Sequence, residues 1–203
     1  MQATGAVTSS GAGGPRDPGG SARERILAAA TELFYADGVR AVSADRIIAA
    51  AGVSKVTFYR HFPTKDALVV ASLEATGARE RALIDRACAA NPGRPADTLR
   101  FLATLAGELA CRPGFRGCAF INAAAEHPDA DHPVRAVIAA HRAWYTETFR
   151  RLAAELGVDH PADVAEELMM LRDGAMVAGY VGGPDAVAAR LASAGRAVLL
   201  AHG

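Results

Sequence analysis

The chain has 203 residues with 22 basic and 22 acidic side chains, so its formal net charge at neutral pH is zero. A protein that holds nucleic acid by bulk charge is strongly basic, so this composition excludes that mode and leaves only a local, shape-specific DNA site. Apolar residues make up 51% of the chain, which is enough for a substantial core and argues against disorder of the whole chain.

Membrane insertion, secretion and disulfide scaffolding are not expected. Charged residues interrupt every apolar run before the roughly 18–20 residues that span a bilayer. The N-terminus lacks the basic start and apolar segment of a signal peptide, so we predict a soluble, cytoplasmic protein with no membrane partner. The three cysteines, Cys88, Cys111 and Cys118, are too few and too irregularly spaced for a disulfide framework or a zinc site.

The first predicted element is a tail followed by a helix. Residues 1–20 contain six glycines and two prolines, a composition that cannot bury enough surface to offset its ordering entropy, and we predict a disordered tail. The helix is expected to begin in a capping box of Ser21 and Glu24 and to end at Gly38.

Two short helices follow, the first capped by Ser43 and the second by Ser54. The glycine turn between them predicts a helix-turn-helix, in which the second helix enters the major groove of DNA. Phe58 and Phe62 should pack inward, which leaves an outward face of Lys55, Val56, Thr57, Tyr59, Arg60 and His61. Such a face can contact thymine methyl groups, base edges and phosphates.

A longer helix is predicted from Thr64 to about Ala90, roughly 39 Å at the α-helical rise and long enough to connect two domains rigidly. Further helices are predicted near residues 96–111, 117–126, 133–156, 161–180 and 184–201. No segment has the two-residue alternation typical of a strand. We therefore predict an all-α fold of about nine helices.

Residues 23–70 resemble the DNA-binding domain of the TetR family of bacterial transcriptional regulators. The matching residues are Ile26-Leu27, Ala30, Leu33-Phe34, Gly38, Ser43, Ile47-Ile48, Ala51-Gly52-Val53-Ser54, Phe58-Tyr59, His61-Phe62, Lys65-Asp66 and Leu68. The resemblance implies a three-helix helix-turn-helix DNA-binding domain over residues 21–66 and a helical effector-binding and dimerisation domain over residues 67–203.

The resemblance also implies roles for particular residues. Ser43 and Thr57 would contact the DNA backbone or bases, Val56 and Tyr59 would lie deepest in the groove, and His61 and Lys65 would hold phosphates. The complete set of predicted DNA-binding residues is Ser43, Ser54, Lys55, Val56, Thr57, Tyr59, Arg60, His61 and Lys65.

The charge distribution agrees with a DNA-binding N-terminal domain, but the difference between the two parts of the chain is small. Residues 23–68 hold seven basic and five acidic side chains, whereas residues 69–203 hold fourteen and sixteen. A difference of this size is ordinary scatter by itself, so the helix-turn-helix pattern carries the DNA-binding prediction.

The second half of the chain predicts a small-molecule pocket. Seven of the twelve aromatic residues lie beyond residue 100 and share helices with leucines and methionines, a pattern typical of either an effector pocket or a plain hydrophobic core. Trp144 is the strongest single candidate. The predicted ligand-binding residues are Phe101, Leu105, Phe120, Asn122, His141, Trp144, Tyr145, Met176 and Tyr180.

Two features suggest other chemistry. The segment from Glu126 to His132 concentrates acids and imidazoles, but prolines break it and no two histidines are four residues apart on a helix. A polar interhelical loop is therefore favoured, and no metal, other cofactor or catalytic residue is predicted. Cys118 has only Arg116 as a basic neighbour in the sequence, so a buried small hydrophobe is favoured over a redox-sensing thiol.

The last two helices carry small and apolar residues on one face, which predicts a two-fold dimer interface. A dimer is expected because one short recognition helix reads too few base pairs. The predicted interface residues are Leu168, Leu171, Ala175, Ala178, Val187, Leu191, Ala194 and Val198.

These patterns predict a homodimeric TetR-like repressor that binds a palindromic double-stranded operator and releases it when a small apolar or aromatic effector binds. Coupling would run through the long fourth helix. The alternatives are an all-α metal-binding protein or enzyme that uses the Glu126–His132 segment, and an activator or ligand-independent regulator of the same fold.

Overall fold

The computed structural model describes residues 20–203, so the tail predicted over residues 1–20 lies, apart from Gly20, outside the described residues. Within them the chain forms nine α-helices and no strand, which confirms the all-α prediction. The helices are α1 (Ala22–Asp37), α2 (Ala44–Ala51), α3 (Lys55–His61), α4 (Lys65–Ala90), α5 (Pro95–Ala110), α6 (Ala119–Glu126), α7 (Pro133–Glu155), α8 (Pro161–Val181) and α9 (Val187–Ala201). A 3₁₀ turn, Pro184–Ala186, precedes α9.

Hydroxyl side chains begin the first four helices. The capping box predicted for α1 is confirmed, because Glu24 N donates to Ser21 Oγ and Ser21 N donates to the Glu24 carboxylate. Ser43, Ser54 and Thr64 cap α2, α3 and α4 by accepting a backbone N–H three residues ahead. Each bond satisfies a backbone N–H that has no partner inside the helix. The starts of α1–α4 are therefore determined by residues next to them in the sequence.

The first three helices pack around a core that is fully closed to solvent. Ile26 and Ile47 are 0% exposed and Phe58 is 1% exposed. Helix α1 packs against α2, α3 and α4, and the α2–α3 turn passes through Gly52 at φ 61°, a left-handed conformation that glycine adopts without strain. These contacts fix the angle between α2 and α3.

The remaining helices form a second layer, with α7 against α8, α5 against α9, and α8 against α9. Helix α4 reaches from the first three helices into this layer. The hydrophobic cluster under α1–α3 continues through Phe120, Val134 and Met176. The N-terminal helices therefore share a continuous core with α6, α7 and α8.

Close helix approach in this second layer depends on glycines, Gly107 and Gly179 among them. A Cβ added at Gly107 of α5 would lie 2.5 Å from the Cβ of Ala188 in α9, so only glycine allows this spacing. Among residues 20–203, none of the helices has the length and apolar character that a membrane span requires.

Candidate functional site

Helix α3 presents two large apolar side chains to solvent. Val56 is 78% exposed and Tyr59 is 43% exposed, whereas the intervening Phe58 is buried. The Phe58 and Tyr59 rings meet edge to face with their centroids 5.1 Å apart. Because burial of Phe58 fixes the rotation of α3, Val56 and Tyr59 must project outward, where they can contact thymine methyl groups and base edges.

Polar groups surround this apolar pair. Ser54 Oγ accepts a hydrogen bond from Thr57 N at 3.1 Å and lies 2.9 Å from Thr57 Oγ1. Lys55 Nζ is 3.8 Å from Asp45 Oδ1, but both side chains are largely exposed, so the pair is weak and the ammonium remains available to a phosphate.

All nine predicted DNA-binding residues are at least partly exposed to solvent. Six are exposed, and Thr57, His61 and Lys65 are half-buried, so none belongs to the core. Their contacts with DNA stay predictions.

Glu126 joins the C-terminal layer to the turn between α1 and α2. Its carboxylate accepts hydrogen bonds from Val39 N at 2.8 Å and Arg40 N at 2.6 Å. Arg40 Nη2 also donates to the Glu126 carbonyl oxygen at 2.9 Å. Glu126 is the last residue of α6, where the helix predicted near residues 117–126 also ends, and it anchors the N-terminal helices.

Tyr35 of α1 makes a second link between the two layers. Its hydroxyl donates to the Gly117 carbonyl oxygen at 3.0 Å and accepts from Arg116 N at 2.8 Å. Arg116 Nη1 donates to the Ala36 carbonyl oxygen. Helix α1 is thus hydrogen-bonded to the start of the α6 region and, through the turn after it, to the end of α6.

A cavity of about 760 Å³ lies among α1 and α4–α9. Its walls are mainly apolar, and this volume falls within the range of small-molecule sites. Four of the predicted ligand-binding residues line it: Leu105, Asn122, Tyr145 and Met176.

The other five predicted ligand-binding residues do not line this cavity, and three of them lie in the packing around α7. The His141 ring stacks on the Phe120 ring with centroids 3.6 Å apart. Trp144 is half-buried, with the Arg81 guanidinium over its ring at 5.6 Å. Helix α7 turns Tyr145, one residue later and about 100° around the helix, toward the cavity, and a ligand contact by Phe120, His141 or Trp144 stays a prediction.

Phe101 and Tyr180 lie away from the cavity for a different reason, and their ligand contacts also stay predictions. They are 38% and 51% exposed and therefore lie on the outside of α5 and α8. Arg116 lies over the Tyr180 ring, with 5.8 Å from the guanidinium carbon to the ring centroid.

The cavity wall contains a charged group that the sequence pattern did not indicate. Arg172 of α8 donates through Nη1 to Cys118 Sγ at 3.3 Å and lies over the Tyr145 ring at 4.6 Å. Its Nη2 is 3.8 Å from Glu80 Oε2, a buried atom that also lies 3.3 Å from His141 Nε2. Arg172 and Glu80 could not be recognised beforehand because an isolated charge on a helix is typical of solvent-facing positions.

These contacts change the expectation for Cys118. It is buried as predicted, but its sulfur has a basic neighbour that comes from α8 rather than from the local sequence. Burial alone would lower the pKa of Arg172, but nearby Cys118, Tyr145 and Glu80 outweigh burial and raise that pKa above its ordinary value.

Tyr145 is held in its neutral form. Burial, assisted by the Glu80 carboxylate, raises the pKa of Tyr145 to about 12, although Arg172 acts in the opposite direction. The phenol therefore stays protonated and can donate a hydrogen bond in the cavity wall at every physiological pH.

The predicted dimer face of α8 and α9 stays a prediction, and its residues differ in exposure. Leu168 and Val187 are 7% and 4% exposed within this chain, and Leu168 and Leu191 line the cavity, so these side chains face inward. Leu171, Ala175, Ala194 and Val198 are half-buried, and Ala178 is exposed. The exposed apolar residues of α8 lie on the other side of the helix, at Met170, Val177, Tyr180 and Val181.

The model of the family described as "Bacterial regulatory proteins, tetR family" matches residues 26–71. Transcriptional regulator AcuR of Cereibacter sphaeroides is 32% identical over 153 residues, which cover 72% of this chain and 70% of AcuR. Among solved structures, a TetR-family transcriptional regulator from Streptomyces coelicolor is 40% identical with a TM-score of 0.85, covering 89% of this chain and 95% of its own.

A putative TetR transcriptional regulator from Streptomyces avermitilis is similar over the same extent. It is 31% identical with a TM-score of 0.79, covering 90% of this chain and 98% of its own. The resemblance inferred from the motif is confirmed, and it extends through the C-terminal helices as well as the helix-turn-helix. The chain belongs to the TetR family of transcriptional regulators, with an N-terminal helix-turn-helix DNA-binding domain.

Proposed function

We propose that this protein is a homodimeric repressor that binds a palindromic operator through α3 and releases it when a small apolar or aromatic molecule occupies the cavity. The observation that carries the proposal is the composition of the cavity wall. Phe34, Tyr35 and Val39 line it together with α5, α8 and α9. An occupant of the cavity would therefore touch the helix and turn that support α3.

Release would follow from a preference of the effector for one of two arrangements. The hydrogen bonds of Glu126 and Tyr35 hold α1 to the region of α6. An effector that favours a displaced α6 would shift α1, and α2 and α3 with it, and the operator affinity would fall by the effector's preference between the two states. This route adds the α6 contacts to the predicted coupling through α4.

The wall suggests the chemistry of the effector. Its apolar area suits a hydrophobic body, while Tyr145 supplies a donor and the Glu80 carboxylate, which His141 and Arg172 approach at 3.3 and 3.8 Å, supplies an acceptor. We infer an effector with one polar end that both accepts and donates hydrogen bonds, because a few polar groups in an otherwise apolar wall favour a ligand with a complementary polar end.

Dimerisation is assigned to the exposed side of α8 and to α9. Met170, Gly174, Val177 and Val181 follow a spacing of three to four residues along one helical face, and the three with large side chains are 53–76% exposed. Leu200 of α9 is 73% exposed. A contiguous apolar stripe of this kind is typical of an interface, and a two-fold dimer would bring two copies of α3 to successive major grooves.

The domain division at residues 66 and 67 and the nine DNA contacts are part of the same proposal. We place the protein in the cytoplasm, where operator DNA is available, and assign it no catalytic activity of its own. The support for both is that its relatives are named as transcriptional regulators.

Operator binding tests the recognition surface. Labelled DNA from the region upstream of the protein's own gene is titrated with the parent chain and with Tyr59→Ala and Lys65→Ala, and binding is followed by fluorescence anisotropy. Both variants should bind at least about fivefold more weakly, because a lost base or phosphate contact costs about 1–3 kcal/mol. Arg150→Ala, at an exposed position on α7, is the control and should bind like the parent. Equal binding by all four proteins would contradict the assignment.

Sedimentation velocity tests the dimer face. Val177→Glu should convert the dimer to monomers, because it buries a charge in the proposed interface, and operator affinity should fall with it. Ala140→Glu, at an exposed position of α7, is the control. A Val177→Glu protein that remains dimeric would move the interface elsewhere.

A further inference from the structure

Three potential metal ligands meet where the first turn of α4 approaches the segment between α6 and α7. Asp66, His127 and His132 each offer one ligand atom, and these atoms all lie within 4.8 Å of one another. Asp66 Oδ2 is 3.3 Å from His132 Nε2, and the two imidazole centroids are 4.7 Å apart. From the sequence the two histidines could be combined only with the acids of their own segment, because Asp66 precedes His132 by 66 positions.

We propose that Asp66, His127 and His132 form a binding site for a divalent cation of the zinc type. Two imidazoles and one carboxylate are a ligand set that Zn²⁺ accepts, with water in the fourth position. Zinc–ligand distances of about 2.0–2.2 Å place tetrahedral ligand atoms roughly 3.3 Å apart. The Asp66–His132 pair already has this separation, and the remaining pairs of ligand atoms lie within 4.8 Å of one another.

The hydrogen bond of His127 prepares its ring for a metal. Nδ1 lies 2.7 Å from the Ala123 carbonyl oxygen, and since a carbonyl can only accept, Nδ1 must carry the proton. The lone pair is then on Nε2. A ligating histidine whose other nitrogen donates to a backbone carbonyl is the usual arrangement in metal sites, because the second bond fixes both the tautomer and the ring orientation.

His132 is positioned by the start of α7. Its Nδ1 accepts from Val134 N at 3.3 Å, which turns Nε2 toward Asp66. Metal binding at Nε2 would transfer the ring proton to Nδ1 and give up this long contact. The Asp66 side chain is 56% exposed and that of His132 is 23% exposed, so an ion can enter from solvent.

The position of the site gives a bound ion a mechanical role. Asp66 follows Lys65 in the first turn of α4, and His127 follows Glu126, which anchors the α1–α2 turn. An ion shared by Asp66 and His127 would cross-link α4 to α6 beside the DNA-facing helices. This consequence, unlike the site itself, rests on the proposed function: the ion would hold α3 in one orientation and thereby change operator affinity.

Zinc binding by the untagged, full-length chain tests the site without DNA or effector. Affinity is measured by competition with a chromophoric chelator, and stoichiometry by metal analysis after dialysis. The parent should bind one equivalent per chain, and Asp66→Asn and His127→Gln should each weaken binding at least about tenfold. His160→Asn is the control, since His160 is an exposed histidine outside this group, and it should bind like the parent.

Circular dichroism shows whether each variant is folded. Asp66→Asn changes an exposed side chain outside the core, so a loss of zinc affinity in this variant would not be caused by unfolding. Absence of a bound equivalent of zinc, or equal zinc affinity in Asp66→Asn and the parent, would overturn the site and leave a simple Asp66–His132 ion pair.

Operator titrations with and without Zn²⁺ are the second experiment. A parent that binds zinc but no operator contradicts the proposed function alone, and zinc without effect on operator affinity overturns the cross-link.

Discussion

Helices α1–α3 and helices α5–α9 differ in how completely their interiors are filled. Under α1–α3 the side chains of Ile26, Val42 and Ile47 are 0% exposed, and hydroxyl residues cap all three helices. The C-terminal helices enclose a cavity of about 760 Å³, and α5, α6, α8 and α9 begin without a side-chain cap.

The difference follows from what each region binds. A surface that must match the fixed geometry of duplex DNA gains from a rigid, filled core, because each displaced contact costs affinity. A region that must admit a ligand needs empty volume, and buried polar side chains such as Glu80 and His141, which meet at 3.3 Å without forming a well-aligned hydrogen bond, add to the cost of that region in the free state.

The largest expected effect compares one apolar truncation in each region. Ile47→Ala removes a fully buried side chain and should reduce the free energy of unfolding by about 2–5 kcal/mol. Leu105→Ala removes atoms that already face empty space, so the loss should be about 1 kcal/mol or less. Urea denaturation measures both. Equal losses would mean that the two regions are packed alike.

The next effect concerns the link between the regions. In the parent each carboxylate oxygen of Glu126 accepts one backbone N–H. Glu126→Gln puts an amide NH₂ group in place of one oxygen, so that a donor faces a donor. The free energy of unfolding should fall by about 1–3 kcal/mol. Glu108→Gln, at an exposed position of α5, is the control and should change stability by no more than about 0.5 kcal/mol. A silent Glu126→Gln would show that the α1–α2 turn is held by other contacts.

A smaller effect tests the importance of the caps. Thr64→Ala removes the oxygen that accepts Ala67 N at 3.0 Å and should destabilise the protein by about 1 kcal/mol. Thr104→Ala, the same substitution at an exposed position inside α5, should stay within about 0.5 kcal/mol of the parent. Thermal unfolding of the two variants side by side distinguishes the positions, and identical melting temperatures would remove capping as a difference between the regions.

The smallest effect at neutral pH belongs to Tyr145. Because burial raises the pKa of Tyr145 to about 12, the folded state keeps the phenolic proton longer than the unfolded state, whose pKa is near 10. Stability from this group is complete below pH 10 and is lost as the pH rises from 10 to 12, with a slope of up to about 1.4 kcal/mol per pH unit. Tyr145→Phe should flatten that fall in urea midpoints, whereas Tyr59→Phe should leave it unchanged. A parallel fall in all three proteins would assign it to other groups.

The N-terminal helices could be predicted closely because their boundaries depend on local chemistry. Ser21, Ser43, Ser54 and Thr64 cap helices whose ends lie within a residue or two of the expected ones. Burial of Phe58 and exposure of Tyr59 follow from helical periodicity on a helix with one clear apolar face.

The cavity and the dimer face could not be predicted in the same way, because α7 and α8 are apolar on more than one side. Trp144 and Tyr145 are adjacent, so sequence alone could not indicate which ring faces the cavity. On α8, Leu168 and Met170 differ in exposure from 7% to 61% although both are apolar. Periodicity identifies an apolar stripe but not whether its partner is this chain or another copy.

Helix α1 contacts both the cavity and the core of the DNA-binding helices, and this limits how the protein can evolve. One side of α1 lines the cavity through Phe34 and Tyr35, while Ile26 and Ala30 belong to the core under α2 and α3. Substitutions in α1 that altered ligand choice would therefore also disturb operator recognition. Evolution toward a new effector is expected to proceed through the α5, α8 and α9 walls, and residues 26–39 should change more slowly among descendants that keep the same operator.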